Sequence, residues 1–274
     1  MAKRLQGWTE EKIARYIKEG RGQGEGIHYK PWLKIQDFPS KGRVHRIKGN
    51  KSGRIHHLFS DLERDYFYIL DWVEEVLDIR EQFPLVREET LQIAKEIGIN
   101  HPVDSSTKTP IVMTTDFLIT VRRGNELLLL ARTIKPSEEL QNKRAIEKFE
   151  IERVYWQRKS KDWGIVTEHE LPGQLCRNLG MLHPLFDIPK EGRLLASHLV
   201  SFWGQMSYPD TLSEVLKQFE VLNGLEKGQA LTIFKYLLAT KQIAVDLNIP
   251  FRKTIRCSEV RIRQVDDLNT RCGT

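Results

Sequence analysis

Cysteine is scarce: Cys176, Cys257 and Cys272 are all that 274 residues contain. They are far apart, odd in number and form no Cys-x-x-Cys pair. That argues against a zinc or disulfide framework and for a reducing cytoplasm. Long apolar runs are also missing. Nothing approaches the roughly 18 apolar residues of a membrane span. The start of the chain, with Lys3 and Arg4 ahead of a charged helix, lacks the apolar core of a signal peptide. No membrane partner is expected. Repeats and low-complexity blocks are absent too. The glycine-rich stretch from Gly20 to Gly26 follows a helix and lacks the Gly-Lys-Ser/Thr ending of a nucleotide-binding loop, so it reads as a flexible linker.

What is present is the composition of a globular protein, 40% hydrophobic and 29% charged, with enough chain for two domains. The charge is uneven. Residues 1–60 hold 14 Lys and Arg against 5 Asp and Glu, a surplus of +9, whereas the whole chain carries only +6. The remainder is therefore mildly acidic, and the basic segment points to a polyanion, with nucleic acid ahead of membrane. Arg21, Arg43, Arg46, Arg54 and His57 are the residues expected to contact DNA. Adjacent His56 and His57 on a strand would face opposite ways and could not share a metal.

Hydrophobic periodicity sets the order of elements. Residues 9–19 read as a helix capped by Thr9, with Trp8 and Ile13 as a hydrophobic staple. Residues 30–57 read as basic irregular structure. Ser60 and Glu63 form a capping-box pattern that opens a helix reaching residue 70 or beyond. A strand follows over 73–82, a helix over 88–98, and a hairpin over 113–121 and 126–136. A long helix over 137–159 and a short strand over 163–167 complete the series. This order predicts an α/β fold, helices flanking a small mixed sheet.

Leu171-Pro172-Gly173 marks a boundary, giving domains of 1–170 and 171–274. The second reads as helices over 191–206, 211–222 and 226–240, then strands over 241–247 and 254–262. Helices followed by a β-ribbon predict a winged-helix-like α+β domain, a module that docks DNA or protein.

Chemistry concentrates on the hairpin. Asp116 on one strand and Lys135 at the end of the other place a carboxylate beside an ammonium. Phosphodiester hydrolysis uses that juxtaposition, with a divalent ion to neutralise the phosphate and a lysine to position or deprotonate water.

Together Glu63, Asp116 and Lys135 resemble the core of restriction-endonuclease-like nucleases, in which a helix Glu, a strand Asp and an Asp/Glu/Gln-x-Lys pair surround one or two Mg²⁺ ions. Longer segments narrow the resemblance. Residues 17–24 (IKEGRGQG), 54–58 (RIHHL), 60–63 (SDLE), 77–84 (LDIREQFP), 114–118 (TTDFL) and 140–156 are similar to the TnsA endonuclease subunits of heteromeric cut-and-paste transposases. The similarity covers most of residues 10–168 and is looser beyond.

The resemblance implies Glu63 and Asp116 as metal ligands and Lys135 as the catalytic lysine. It implies Mg²⁺, with Mn²⁺ able to substitute, and 5′-end cleavage at a transposon. The implied partners are transposon-end DNA, a DDE-type TnsB-like subunit and an ATP-dependent TnsC-like regulator. Two departures stand out. Thr133 occupies the place of the usual Gln, so the expected ligands there are the Thr133 hydroxyl and the Ile134 carbonyl. Thr115 replaces the Pro found before the Asp in many such nucleases. The alternative function is a non-catalytic DNA-binding adaptor that has lost cleavage through Thr133.

Overall fold

The structure, a computed structural model, describes residues 7–37, 43–206, 210–252 and 254–263. Lys3, Arg4 and Cys272 lie outside them. The chain divides between Leu171 and Pro172 into two compact units.

The first unit opens with α1 (Glu10–Lys18). The Thr9 hydroxyl accepts the Lys12 amide at 3.2 Å, and Ile13 and Tyr16 pack with Trp8 and Trp32. The cap and the staple are as expected. The glycine stretch is not the expected flexible linker. The Gly22 amide donates to the Lys30 carbonyl and the Lys30 amide to that of Gln23. Gly22 has φ 77°, and a Cβ there would sit 2.2 Å from Pro84 Cγ. Glycine is required because the loop lies directly against the sheet strand, in a left-handed conformation.

The stretch expected as irregular contains an antiparallel hairpin, β1 (His45–Lys48) with β2 (Ile55–Leu58). Four-residue polar strands give little periodic signal. A buried ionic cluster secures the hairpin. Arg54 grips Glu81 through both terminal guanidinium nitrogens, at 2.8 and 2.5 Å. His56 Nδ1 lies 2.8 Å from the same carboxylate, and Nε2 lies 2.7 Å from Ser52 Oγ. Burial opposes ionisation of Glu81, yet His56 and Arg54 outweigh it and hold the carboxyl far below its usual range.

The central sheet runs β3 (Val76–Pro84), β4 (Thr114–Arg123), β5 (Glu126–Ile134), β6 (Asp162–Val166) in that spatial order. The first two pairings are antiparallel and the last parallel, which makes it the expected mixed sheet. Helix α2 (Asp61–Trp72) lies against one face, and α3 (Arg87–Glu96) and α4 (Lys143–Arg158) against the other. Successive strand residues serve opposite faces. Phe117 meets Tyr66 of α2 edge-on, while Leu118 joins Ile93, Ile151, Tyr155 and Trp156 in the α3/α4 core. The long helix starts later than expected: residues 137–141 form a 3₁₀ turn, and the Asn142 side chain caps α4 by accepting the Arg144 and Ala145 amides.

The second unit packs α5 (Gly173–Leu182), α6 (Lys190–Trp203), α7 (Leu212–Leu222) and α8 (Gln229–Ala239) around Leu199, Trp203, Phe219 and Phe234. An antiparallel pair follows, β7 (Ile243–Ala244) with β8 (Arg261–Ile262). Both strands are shorter than expected. The Asp246 side chain accepts the Asn248 amide in a turn, and a 3₁₀ turn occupies Cys257–Glu259. Side chains of this kind divert backbone from a ladder.

Because Glu81 compensates the buried Arg54 guanidinium, Glu81→Gln is expected to cost about 3–5 kcal/mol, the penalty for leaving a buried charge unpaired. Denaturant unfolding of the variant measures it.

Candidate active site

Asp116 stands near the start of β4, opposite the end of β5. Its Oδ2 accepts the Ile134 amide at 2.8 Å and the Lys135 ammonium at 3.0 Å. Its Oδ1 accepts Gln82 Nε2 of β3 at 3.3 Å. The hairpin pair expected from sequence is therefore in direct contact. Burial works against the Lys135 cation, but Asp116 and Glu63 overcome it and hold the ammonium above its ordinary range.

Glu63 reaches the same place from the first turn of α2 and is buried. Its amide donates to Ser60 Oγ at 3.0 Å, and its carboxylate accepts the Phe59 amide at 2.9 Å and the Ser60 hydroxyl at 3.2 Å. The capping interaction and the site location coincide in one residue. Burial, and then the Asp116 charge, push its carboxyl up to about 8, against the pull of Lys135 and the Phe59 amide.

A residue that sequence reasoning did not single out completes the group. Glu152 of α4 is buried and accepts from the Thr115 and Thr133 hydroxyls, both at 2.6 Å. Thr115 also accepts Trp156 Nε1 at 2.7 Å. Burial raises the Glu152 carboxyl to about 7, opposed by the two threonines and assisted by Asp116. A signal was available. Glu152 falls three residues after Phe149 and three before Tyr155, on the buried face of an amphipathic helix. The two departures in the sequence, Thr115 and Thr133, are thus both partners of one buried acid.

Asp116, Thr133, Lys135 and Glu152 line an open cleft of about 390 Å³ together with Phe149 and the exposed Lys148. Among the described residues, no three His, Cys, Asp or Glu side chains are spaced to hold an ion alone. That is compatible with Mg²⁺, which binds through one or two carboxylates and fills its shell with water and phosphate oxygens. The donor chemistry fits as well. Three carboxylates face a single ammonium, so full ionisation leaves two negative charges uncompensated.

The residues expected to contact DNA separate into two sets. Arg21 is buried over the Tyr16 ring and bonded to Glu19, Asp37 and the Trp32 carbonyl. Arg54 is committed to Glu81. Neither guanidinium is offered to a phosphate. Arg43 and Arg46 are exposed, with Lys48 beside Arg46 on the outer face of β1. His57 pairs with Arg46 across the hairpin and is half-buried, and burial lowers its pKa.

A mixed sheet between helices, with carboxylates and a lysine gathered at one end, is the architecture of the restriction-endonuclease-like nucleases. Family models agree and narrow the assignment. "TnsA-like endonuclease N terminal" matches residues 73–168 and "TnsA endonuclease C terminal" matches residues 170–247. The Escherichia coli "Transposon Tn7 transposition protein TnsA" is 40% identical over 270 residues, covering 97% of this chain and 96% of that protein. The chain belongs to the TnsA endonuclease family. Asp116, Lys135 and Glu152 fall inside the first match, and Glu63 precedes it.

A carboxyl whose pKa is raised by folding stabilises the protein at low pH and loses that contribution as pH rises through the folded value. In the presence of a chelator, stability is expected to fall between pH 4.5 and about 8. Glu63→Gln, which keeps the amide-accepting oxygen, is expected to flatten the upper part of the fall and to melt higher than wild type at pH 8. Melting temperatures across pH 5–9 test this.

Proposed function

We propose that this chain is the subunit that hydrolyses phosphodiester bonds at the 5′ ends of a transposon in cut-and-paste excision, with Mg²⁺ as cofactor and Mn²⁺ able to replace it. The observation that carries the reading is the contact between Asp116 and Lys135 beside two further buried carboxylates. Charges are kept in a protein interior at a cost. A non-catalytic adaptor would give this cluster no use, although it could keep the fold.

Glu63 and Asp116 would hold the cation. The amide and carbonyl of one extended residue face the same side. The Ile134 amide reaches Asp116, so the Ile134 carbonyl is placed to assist. The Thr133 hydroxyl is turned toward Glu152, and in this reading the side-chain place of the usual Gln passes to the Thr133–Glu152 pair. When bound, the cation neutralises the scissile phosphate and lowers the pKa of attacking water.

The chain's own groups do the rest. Lys135 stays an ammonium, so it acts as a fixed positive charge on the phosphoryl oxygens and not as the base. Glu152, near neutrality, is placed to take a proton from water. Lys148 at the rim of the cleft would meet the neighbouring backbone phosphate. Arg43, Arg46 and Lys48 would follow the duplex farther away.

Transposon-end DNA, a TnsB-like DDE subunit and a TnsC-like regulator are the proposed partners. The support is the similarity to a transposition protein and the helix-and-ribbon order of the second unit, which suits a winged-helix-like docking module.

Nicking of transposon-end duplex in Mg²⁺ or Mn²⁺, with the cognate transposase subunit present, tests the proposal. Asp116→Ala and Lys135→Ala are each expected to slow it by about a hundredfold or more. Cleavage at the wild-type rate in both would overturn it. Arg46→Ala and Lys48→Ala are each expected to weaken DNA binding while lowering the salt dependence, log K against log salt, by about 1.

A further inference from the structure

Gln82 lies in β3, in a segment whose resemblance to nucleases assigns it no task. The register sets Glu81 opposite Phe117 and Phe83 opposite Thr115, so Gln82 falls opposite Asp116. Its φ is 48°. Left-handed backbone inside a strand is unfavourable for any residue with a Cβ, and it persists only where the surroundings enforce it.

Two consequences of the kink are visible. The Gln82 carbonyl accepts the Trp32 amide at 3.2 Å instead of serving the sheet. The side chain, buried, bridges two strand residues. Nε2 donates to Asp116 Oδ1 at 3.3 Å, and Oε1 accepts the Thr114 hydroxyl at 3.2 Å. The Asp116 carboxylate can only accept, which commits the nitrogen end of the carboxamide to it and leaves the oxygen end to the Thr114 hydroxyl.

Asp116 is therefore held on both sides. Ile134 and Lys135 take Oδ2, and Gln82 takes Oδ1. Two oxygens fixed by donors on different strands leave the carboxylate plane no freedom to rotate. The donor is also neutral. A glutamate in its place would set another negative charge against a cluster that already has an excess, and an arginine would compete for the charge a cation is meant to meet.

We propose that Gln82 is a positioning residue for cleavage: the strained backbone holds its carboxamide on Asp116 Oδ1 and thereby fixes the carboxylate for cation and phosphate. This rests on Asp116 being the reactive-centre ligand. A purely structural Gln82 would fill space and satisfy the Thr114 hydroxyl, with no effect on the chemistry beyond stability.

Gln82→Gly separates the two roles, because glycine adopts φ 48° freely and has no amide to give. The variant is expected to melt at or above the wild-type temperature and to bind transposon-end DNA with unchanged affinity. It is expected to nick about ten- to a hundredfold more slowly at saturating Mn²⁺, the loss of one hydrogen bond to a charged group. The Mn²⁺ concentration giving half of the cation-induced rise in melting temperature should increase about tenfold or more, by the same interaction. Thr114→Val, which leaves the Gln82 backbone alone and frees its carboxamide to turn, should shift both readouts in the same direction by a smaller factor.

Asp116→Ala is run alongside. Gln82→Gly and Thr114→Val that nick at the wild-type rate with an unmoved Mn²⁺ midpoint, beside an inactive Asp116→Ala, overturn the role of Gln82 and leave the nuclease reading intact. Asp116→Ala that nicks normally overturns both. If Gln82→Gly melts below wild type, Thr114→Val decides: an unmoved Mn²⁺ midpoint there counts against the proposal and a raised one supports it.

Discussion

A single carboxylate ties together the end of the sheet where the candidate site lies. Asp116 accepts from Gln82 of β3, from the Ile134 amide of β5 and from Lys135 beyond it. Each of these donors sits where the regular ladder ends or is broken: the pairing of β4 with β5 stops at Phe117 and Arg132, and that of β3 with β4 skips Gln82. The Ile134 amide, a backbone donor that a ladder would otherwise use, is thereby released toward one acid, and the Gln82 and Lys135 side chains join it there. The irregular end of the sheet is what makes room for a site.

That site is organised around an excess of negative charge. Glu63, Asp116 and Glu152 converge from a helix start, a strand and a second helix, with one ammonium between them. The fold supports each acid by local means. Glu63 lies in the first turn of α2, where the helix dipole favours an anion and the Phe59 and Ser60 donors are at hand. Glu152 has two threonine hydroxyls. Asp116 has Lys135. These donors bring the charges together while only Asp116 meets a full countercharge, and burial shifts Glu63 and Glu152 upward into the range where proton transfer at neutral pH is possible.

Two other acids show the contrast. Glu81 meets Arg54 and His56 and is held far down; Asp37 meets Arg21. There cation and anion balance, and the result is an anchored hairpin and an anchored loop. Sequence alone could not separate these arginines from Arg43 and Arg46, since all belong to one basic segment. Charge composition reports how much positive charge a segment has, and only the path of the chain decides which of it meets carboxylates inside. The glycine stretch shows the same limit. Its composition is that of a linker, and its need for glycine arises from Pro84, about sixty residues away.

Short-range signals determined much of this protein by sequence alone. Alternating apolar residues fixed the hairpin of β4 and β5, Thr9 and Ser60 fixed two helix starts, and a Pro-Gly pair marked the boundary between units. Asp116 and Lys135 were legible because neighbouring hairpin strands necessarily bring such residues together. Glu152, Gln82 and the fate of Arg21 and Arg54 were decided only by tertiary structure. Each depends on a partner 19 to 37 residues away or, for Arg21 and Arg54, on acids reached through loops. Local periodicity records which face of an element is buried. It does not record which polar group waits on the other side, and in this site that pairing sets the chemistry.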